Sequence, residues 1–443
     1  MNLKENFNEL KKAKTFRELF DALDISLFTS SALMISLGLV ITPFIALFTG
    51  YDSYMYTYLL LFGYLGCVLT LFSFIKSRLA FKFSNKKYFT ENIIPIFLFI
   101  MLLWAIPSTL LASDFDTAFY GSIYRQDGLL TAFTYCGYFG CGYIAAKGNK
   151  LHYIFNLFSL IAVILTILMI IDSPFLNMHF RTTHTNSVFF NRNHTGYYFC
   201  IATILNSIEI LRLKLKTKKD IFLLILRLIV FGICFYGNIL TNSTGSFLGI
   251  VFGGCCLIFA TTLFNKQILK HALFIFSTII IVTIISVFTG KSPLLDVLRV
   301  FIDFGIILKD IRSEEAMHAG TDRWSLWLGA FQFIKKQPLF GYGPDCLDNE
   351  YARIGLPDAG RPHCEPLQFA AELGVPAAIA YLVSIITFTV TFFKKKVSNP
   401  IVIGLVCTVG AYFCSSLFGL TFFYTAPFFY MIFGMATSVL KRE

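Results

Sequence analysis

The run VSNPIVIGLVCTVGAYFCSSLFGLTFFYTAPFFYMIFGMATSVL, from Val397 to Leu440, holds 44 residues without a single charge. One helix crosses the roughly 30 Å of bilayer hydrocarbon with about 20 apolar residues. The run is too long for one crossing and suits two, with a break near Gly419–Thr421. Working outward, uncharged runs of span length recur at residues 25–50, 53–75, 92–113, 128–146, 153–171, 242–265, 272–290 and 373–393. Two further runs, 195–211 and 221–241, carry one charge each, Glu209 and Arg227. Arg227 lies near the basic end of its helix and can snorkel to the interface. The total is twelve predicted spans.

Composition agrees. Hydrophobic residues make up 56% of the 443, charged residues 14%, and the mean hydropathy is +0.69. A soluble chain carries about 25% charged residues. With 51 Phe and 21 Tyr, this one has too little polar surface for a soluble fold. Disorder, collagen, a coiled coil and a small disulfide scaffold are excluded as well. The fold class is an all-α polytopic membrane protein.

Twelve spans place both termini on one side, and the basic residues choose it. With the termini inside, the inner segments hold 24 of the 37 Lys and Arg. Every inner connection is then basic, as the positive-inside rule requires. The expected location is the cytoplasmic membrane, multi-pass, with both termini cytoplasmic. Residues 1–24 mix acids and bases and are expected to form a cytoplasmic amphipathic segment, with no cleavable signal. Spans one to nine occupy 25–290, an extracytoplasmic cap 291–372, and spans ten to twelve with a short cytoplasmic tail 373–443. The net charge of +11 records orientation. The cap itself has nine basic and twelve acidic residues, so nothing points to nucleic acid, and membrane lipids are the expected surroundings.

The 82-residue cap is where chemistry belongs, because loops of such length are usually functional when patterned. Residues 294–308 read as an amphipathic helix. A second helix is expected from near Thr321 to before Pro338, with Trp324, Trp327, Leu328 and Phe331 on one face. Gly341-Tyr342-Gly343-Pro344 forces a turn. A third helix is expected to begin near His363 and run into the span at Leu373.

Arginine's planar fork suits phosphate oxygens. Arg125, Arg181, Arg192 and Arg323 sit near span ends or a helix start, where a lipid-linked phosphate would lie, and Arg361 adjoins His363. Together they suggest an anion site at the membrane surface, against the plainer reading of solvated or headgroup-facing charge. His363, with Glu365 two residues on, fits a general base or an ordinary interfacial histidine. Asp114-Phe115-Asp116 fits a divalent-metal site or, in the favoured reading, a hydrophilic loop. No His or Cys pair has metal-ligand spacing. Cys346 and Cys364 are the two cap cysteines, and sequence leaves open whether they pair.

The cap then becomes recognisable. Arg323-Trp324 heads a helix, Pro338-Leu339-Phe340-Gly341-Tyr342-Gly343 follows, and His363-x-Glu365-x-Leu367-Gln368-x-x-x-Glu372-Leu373-Gly374 leads into a span. This order resembles the O-antigen ligase family, which also includes polysaccharide polymerases and protein O-oligosaccharyltransferases. Gly121…Arg125-Gln126-Asp127-Gly128, Asn191-Arg192-Asn193 and Thr241-Asn242-Ser243-Thr244-Gly245 are similar to its weaker upstream patterns. The resemblance implies a GT-C-type, metal-independent, inverting membrane glycosyltransferase without a cofactor. It would pass a glycan from an undecaprenyl-diphosphate-linked donor to a glycan, lipid or protein acceptor hydroxyl at the outer face of the membrane. It implies a catalytic set of His363 as base, Arg323 on the diphosphate, and Glu365. Arg125, Arg181, Arg192, Arg361 and Gln368 are the expected substrate-binding residues. Two departures stand out: Cys364 replaces the usual Asn, and Thr244 replaces an expected Arg, whose place Arg192 or Arg125 would take. The competing class is a twelve-span transporter or flippase for a lipid-linked or anionic substrate. Such carriers more often place charges within the spans.

Overall fold

The computed structural model describes residues 25–49, 53–77, 86–123, 125–171, 187–189, 191–356, 360–419 and 423–443, with 11, 12, 14, 15 and 18 before them. The amphipathic segment expected over 1–24 thus lies almost wholly outside the described residues, as does Arg181. No strand occurs among those described.

The chain begins with α1 (Ile25–Thr49), α2 (Ser53–Lys76), a short α3 (Lys86–Glu91) and α4 (Ile93–Leu110). Next come a one-turn α5 (Phe115–Tyr120), α6 (Leu129–Ala145) and α7 (Leu151–Ile170). The middle of the bundle is α8 (Arg192–Leu211), α9 (Lys218–Leu240), α10 (Thr244–Phe264) and α11 (Leu269–Phe288). The cap holds α12 (Leu294–Lys309), α13 (Glu314–Met317), α14 (Arg323–Lys336), α15 (Asp348–Arg353) and α16 (Glu365–Glu372). The bundle closes with α17 (Val375–Lys395), α18 (Pro400–Ser416) and α19 (Ala426–Arg442).

A helix stands on each of the twelve runs, and the 44-residue run breaks between α18 and α19. Among the described residues, eight helices are long and apolar enough to cross a membrane: α1, α2, α4, α7, α9, α10, α11 and α17. The other four differ for a physical reason. α6, α18 and α19 have 17 residues each, and α8 carries His194, Asn206 and several Thr and Ser. α8 and α19 are buried along almost their whole length. α6 packs between α2 and α19, and α8 among α7, α9, α10 and α18. A helix wrapped in other helices can be shorter and more polar than one facing lipid, because its polar groups find protein partners.

The closest helix pair depends on glycine. A Cβ on Gly142 of α6 would lie 1.9 Å from the Met431 carbonyl oxygen, and one on Gly434 of α19 2.0 Å from that of Phe139. Small residues let two backbones touch where lipid provides no hydrophobic drive.

The cap has its own small core, in which Leu326 and Phe333 of α14 meet Leu347, Tyr351 and Ala371. The buried face of α14 is Ser325, Leu326, Gly329, Ala330 and Phe333. Of the four residues expected on one face, Trp327 packs against this core, Trp324 and Leu328 are half-buried, and Phe331 is exposed. The small residues mark the side on which α15 and α16 approach. Gly142→Leu or Gly434→Leu should cost about 1–3 kcal/mol or more through overpacking. Gly410→Ala, whose Cβ would meet nothing closer than 3.6 Å, should be near neutral. Thermal unfolding in detergent reads this, and equal midpoints for all three variants would contradict the packing.

Candidate active site at the cap end of the bundle

The turn after α14 clasps the cap to the bundle. Trp104 of α4 donates its indole N–H to the Leu339 carbonyl (2.8 Å) and stacks on Phe340. The backbone amides of Tyr342 and Gly343 donate to Ala371 (3.1 Å) and Glu372 (2.9 Å), and that of Val375 to Pro338 (2.8 Å). Ser108 Oγ donates to the Glu372 carbonyl (2.9 Å). This clasp also ends α16. Gly374 has φ +96°, and a Cβ there would lie 2.0 Å from the Leu339 carbonyl oxygen. The single helix expected from His363 into the span is therefore two, broken at Leu373–Gly374.

Beneath the clasp lies a buried ion cluster. Arg361 is 1% exposed and reaches Asp127 Oδ2 (2.9 Å), Asp345 Oδ1 (2.9 Å) and, at 3.7 Å, Glu372 Oε1. Arg125 Nε adds a second bond to Asp345 Oδ1 (2.9 Å) and a further contact to Asp348. Tyr135 donates its hydroxyl to Asp127 Oδ1 (2.7 Å), the Ser122 amide donates to Asp345 Oδ2 (2.8 Å), and Gln368 donates to Glu372 Oε2 (3.2 Å). Burial opposes ionisation of Asp345, but Arg361 and Arg125 outweigh it and hold the carboxyl below its usual range. Glu372 is pushed up to about 8, first by burial and then by Asp345 and Asp127, against the pull of Arg361. Burial raises Asp127 as well, so the cluster disfavours three buried negative charges at once.

A second, cationic cluster adjoins the first. Arg323 opens α14 after three successive left-handed residues, Gly320 (φ +65°), Thr321 (+59°) and Asp322 (+65°). Arg192 opens α8, where the Asn191 side chain accepts from the Asn193 amide (2.8 Å). Ser243 Oγ donates to Asn193 Oδ1 (3.0 Å), and Asn238 Nδ2 donates to the Gly196 carbonyl (3.0 Å) and Ser246 Oγ (2.8 Å). Two of the three upstream motifs, Asn191-Arg192-Asn193 and Thr241–Gly245, thus meet at one place. Arg323 is half-buried and, among the described residues, donates to the Gly320 carbonyl (3.5 Å). Burial lowers its pKa, and the like charge of Arg192 lowers it further. Among the described residues neither arginine has a carboxylate partner.

His363 lies within the field of these cations. Its backbone is left-handed (φ +51°), a conformation uncommon away from glycine that persists where surroundings over-determine it. Its pKa falls to about 4, first through burial, then through Arg323, Arg361 and Arg125. The imidazole is consequently neutral at physiological pH, which a proton acceptor requires.

The expected site residues therefore separate. Arg323 acts on His363 and in turn feels the like charge of Arg192. Arg361 and Arg125, expected on substrate, are taken up by carboxylates, and Arg361 is enclosed. Glu365 is buried and accepts from the Tyr381 hydroxyl of α17 (2.5 Å), so it faces the bundle. Gln368 is buried on Glu372 rather than facing outward. Asp114 caps α5, accepting from the Thr117 amide (3.1 Å) and hydroxyl (2.7 Å), which accounts for one half of the D-x-D. Cys346 and Cys364 are both free thiols. Asp127, Asp345 and Tyr135 were missed as site residues. The available signal was isolated acids beside glycine or proline at the ends of apolar runs, where a charge needs a buried partner.

Fold and site together define a polytopic helical membrane protein with a capped, cationic site at one end of its bundle. Residues 229–382 match the family model described as O-antigen ligase, a stretch running from α9 through the whole cap into α17. That region of the chain is therefore similar to the O-antigen ligase family, as its motifs implied. No curated protein matches the chain.

Arg361→Met should destabilise by about 3–5 kcal/mol by leaving buried carboxylates without their cation, read by unfolding in detergent. Titration of isotopically labelled His363 by NMR should find the free ring neutral down to about pH 4. Arg323→Ala should raise that pKa. An ordinary midpoint near 6.5, indifferent to Arg323, would contradict the clustering.

Proposed function

We propose that this protein transfers a glycan from an undecaprenyl-diphosphate-linked donor to an acceptor hydroxyl at the outer face of the cytoplasmic membrane. In this reading the chain crosses twelve times in a GT-C-type arrangement, the four enclosed helices included, with both termini cytoplasmic and the cap outside. The observation that carries the reading is the pair Arg323 and Arg192. Arg323, half-buried at the start of α14, feels the like charge of the exposed Arg192 and itself acts on a neutral His363, and neither arginine has a carboxylate partner among the described residues. A diphosphate would supply the missing negative charge, and paired arginines bind such oxygens well.

The chemistry follows from the parts. His363 accepts the proton of the acceptor hydroxyl as its oxygen attacks the anomeric carbon. The bond from that carbon to the diphosphate oxygen breaks on the opposite side, and the anomeric configuration inverts. Arg323 and Arg192 hold the departing diphosphate and stabilise its charge without a metal. Arg192 takes the place of the arginine that Thr244 lacks, because Arg125 is already committed to Asp345 and Asp348. Glu365, Arg361 and Gln368 act as positioning residues, fixing the segment that carries His363. The acceptor is a glycan, lipid or protein hydroxyl.

His363→Ala and Arg323→Ala should abolish transfer from a purified lipid-linked donor in proteoliposomes while both proteins still fold. Arg192→Ala should raise the KM for donor more than it lowers kcat. A bound diphosphate would offset the arginines that depress His363, so the acid limb of kcat should lie at higher pH than that of kcat/KM. Full transfer by either alanine variant would remove that residue from the mechanism. Transport of the labelled donor into sealed vesicles, independent of His363, would favour a carrier instead.

A further inference from the structure

Helix α12 presents an apolar face that nothing in the protein covers. It has no buried residue. Leu295 is 77% exposed, Phe301 70% and Leu308 70%, with Leu298, Ile302 and Phe304 close behind. These residues occupy one half of the helix surface at 3.6-residue spacing. The other half faces the protein: Val300, Asp303 and Ile307 are half-buried, and Asp303 Oδ2 accepts from the Gly320 amide (2.8 Å).

The level of this helix is set by what precedes it. α11 is one of the membrane-crossing helices, and its last residues, Val287 and Phe288, are themselves exposed and apolar. The link to α12 is short: left-handed Gly290 (φ +68°) caps α11, with Gly290 N donating to Val287 O (3.1 Å) and Lys291 N to Ser286 O (3.0 Å). Only residues 289–293 separate α12 from the exposed apolar end of a helix long and apolar enough to cross a membrane. Arg299 and Lys309, both exposed, flank that face, as expected where lipid phosphates lie.

We infer that α12 lies in the membrane interface with this face in lipid, and that lipid contact fixes the turn presenting Arg323. Two bonds carry the connection. Asp303 holds the Gly320 amide, and the Trp324 indole donates to the Ile311 carbonyl (2.9 Å) just beyond α12. Between them stands the left-handed run of Gly320, Thr321 and Asp322, which leads directly into Arg323. The role of Arg323 rests on the proposed glycan transfer; the lipid contact does not.

The test uses the full-length protein in nanodiscs of phosphatidylethanolamine and phosphatidylglycerol, with a photo-crosslinking amino acid at position 301 or 296. Irradiation should attach phospholipid at 301 severalfold more than at 296. Equal labelling, or adducts with protein in place of lipid, would overturn the interfacial placement. In the same bilayers, Leu298→Glu with Phe301→Glu should speed amide exchange over residues 318–325. Asp303→Ala should do the same while leaving lipid labelling at 301 intact. Unchanged exchange in both variants would overturn the connection to Arg323. If the wild type transfers no glycan, the crosslinking result still decides whether α12 contacts lipid.

Discussion

A guanidinium out of water must be compensated, and at Arg361 that requirement organises the cap end of the molecule. Its partners come from distant parts of the chain: Asp127 from the loop before α6, Asp345 from the turn after α14, and Glu372 from the end of α16. Breaking a buried pair by removing one partner is strongly destabilising, so these segments are held in one arrangement. Arg361 stands two residues before His363. The cluster thereby fixes the chain on which the histidine sits, in a backbone conformation that a free loop would seldom hold.

The contrast between the two groups of arginines is what gives the site its character. Arg361 and Arg125 meet carboxylates at hydrogen-bonding distance, whereas Arg323 and Arg192 have no carboxylate partner among the described residues. The first pair holds the cap end together. Burial, Arg323 and, behind it, Arg361 and Arg125 keep His363 neutral. Leaving like charges together costs stability, which is sustained because the clasp at Trp104 and Leu339 and the ion cluster over-determine the local backbone. A preorganised cationic site of this kind suits a leaving group whose charge grows during reaction.

Much of the architecture was legible in the sequence because hydrophobic run length and charge placement are strong, additive signals. Helices stand on all twelve expected runs, and α12 and α14 fall within a few residues of where periodicity put them. The interior helices fall short of the length and apolarity that signal a span, since α8 and α19 exchange lipid for protein neighbours. The break at Gly374 was hidden because the clash that demands it comes from Leu339, far away in sequence. The site was legible as a list of residue types and motifs, but not as a division of labour. Nothing local separates Arg361 from Arg323. The separation depends on acids such as Asp127, more than two hundred positions away, folding back onto one arginine and not the other.

If Arg323 and Arg192 bind diphosphate as proposed, undecaprenyl diphosphate without any sugar, titrated into the purified protein, should bind and shift both of its phosphorus resonances. Arg192→Ala with Arg323→Ala should lose that binding. Binding unchanged in the double variant would rule out a diphosphate site at these arginines.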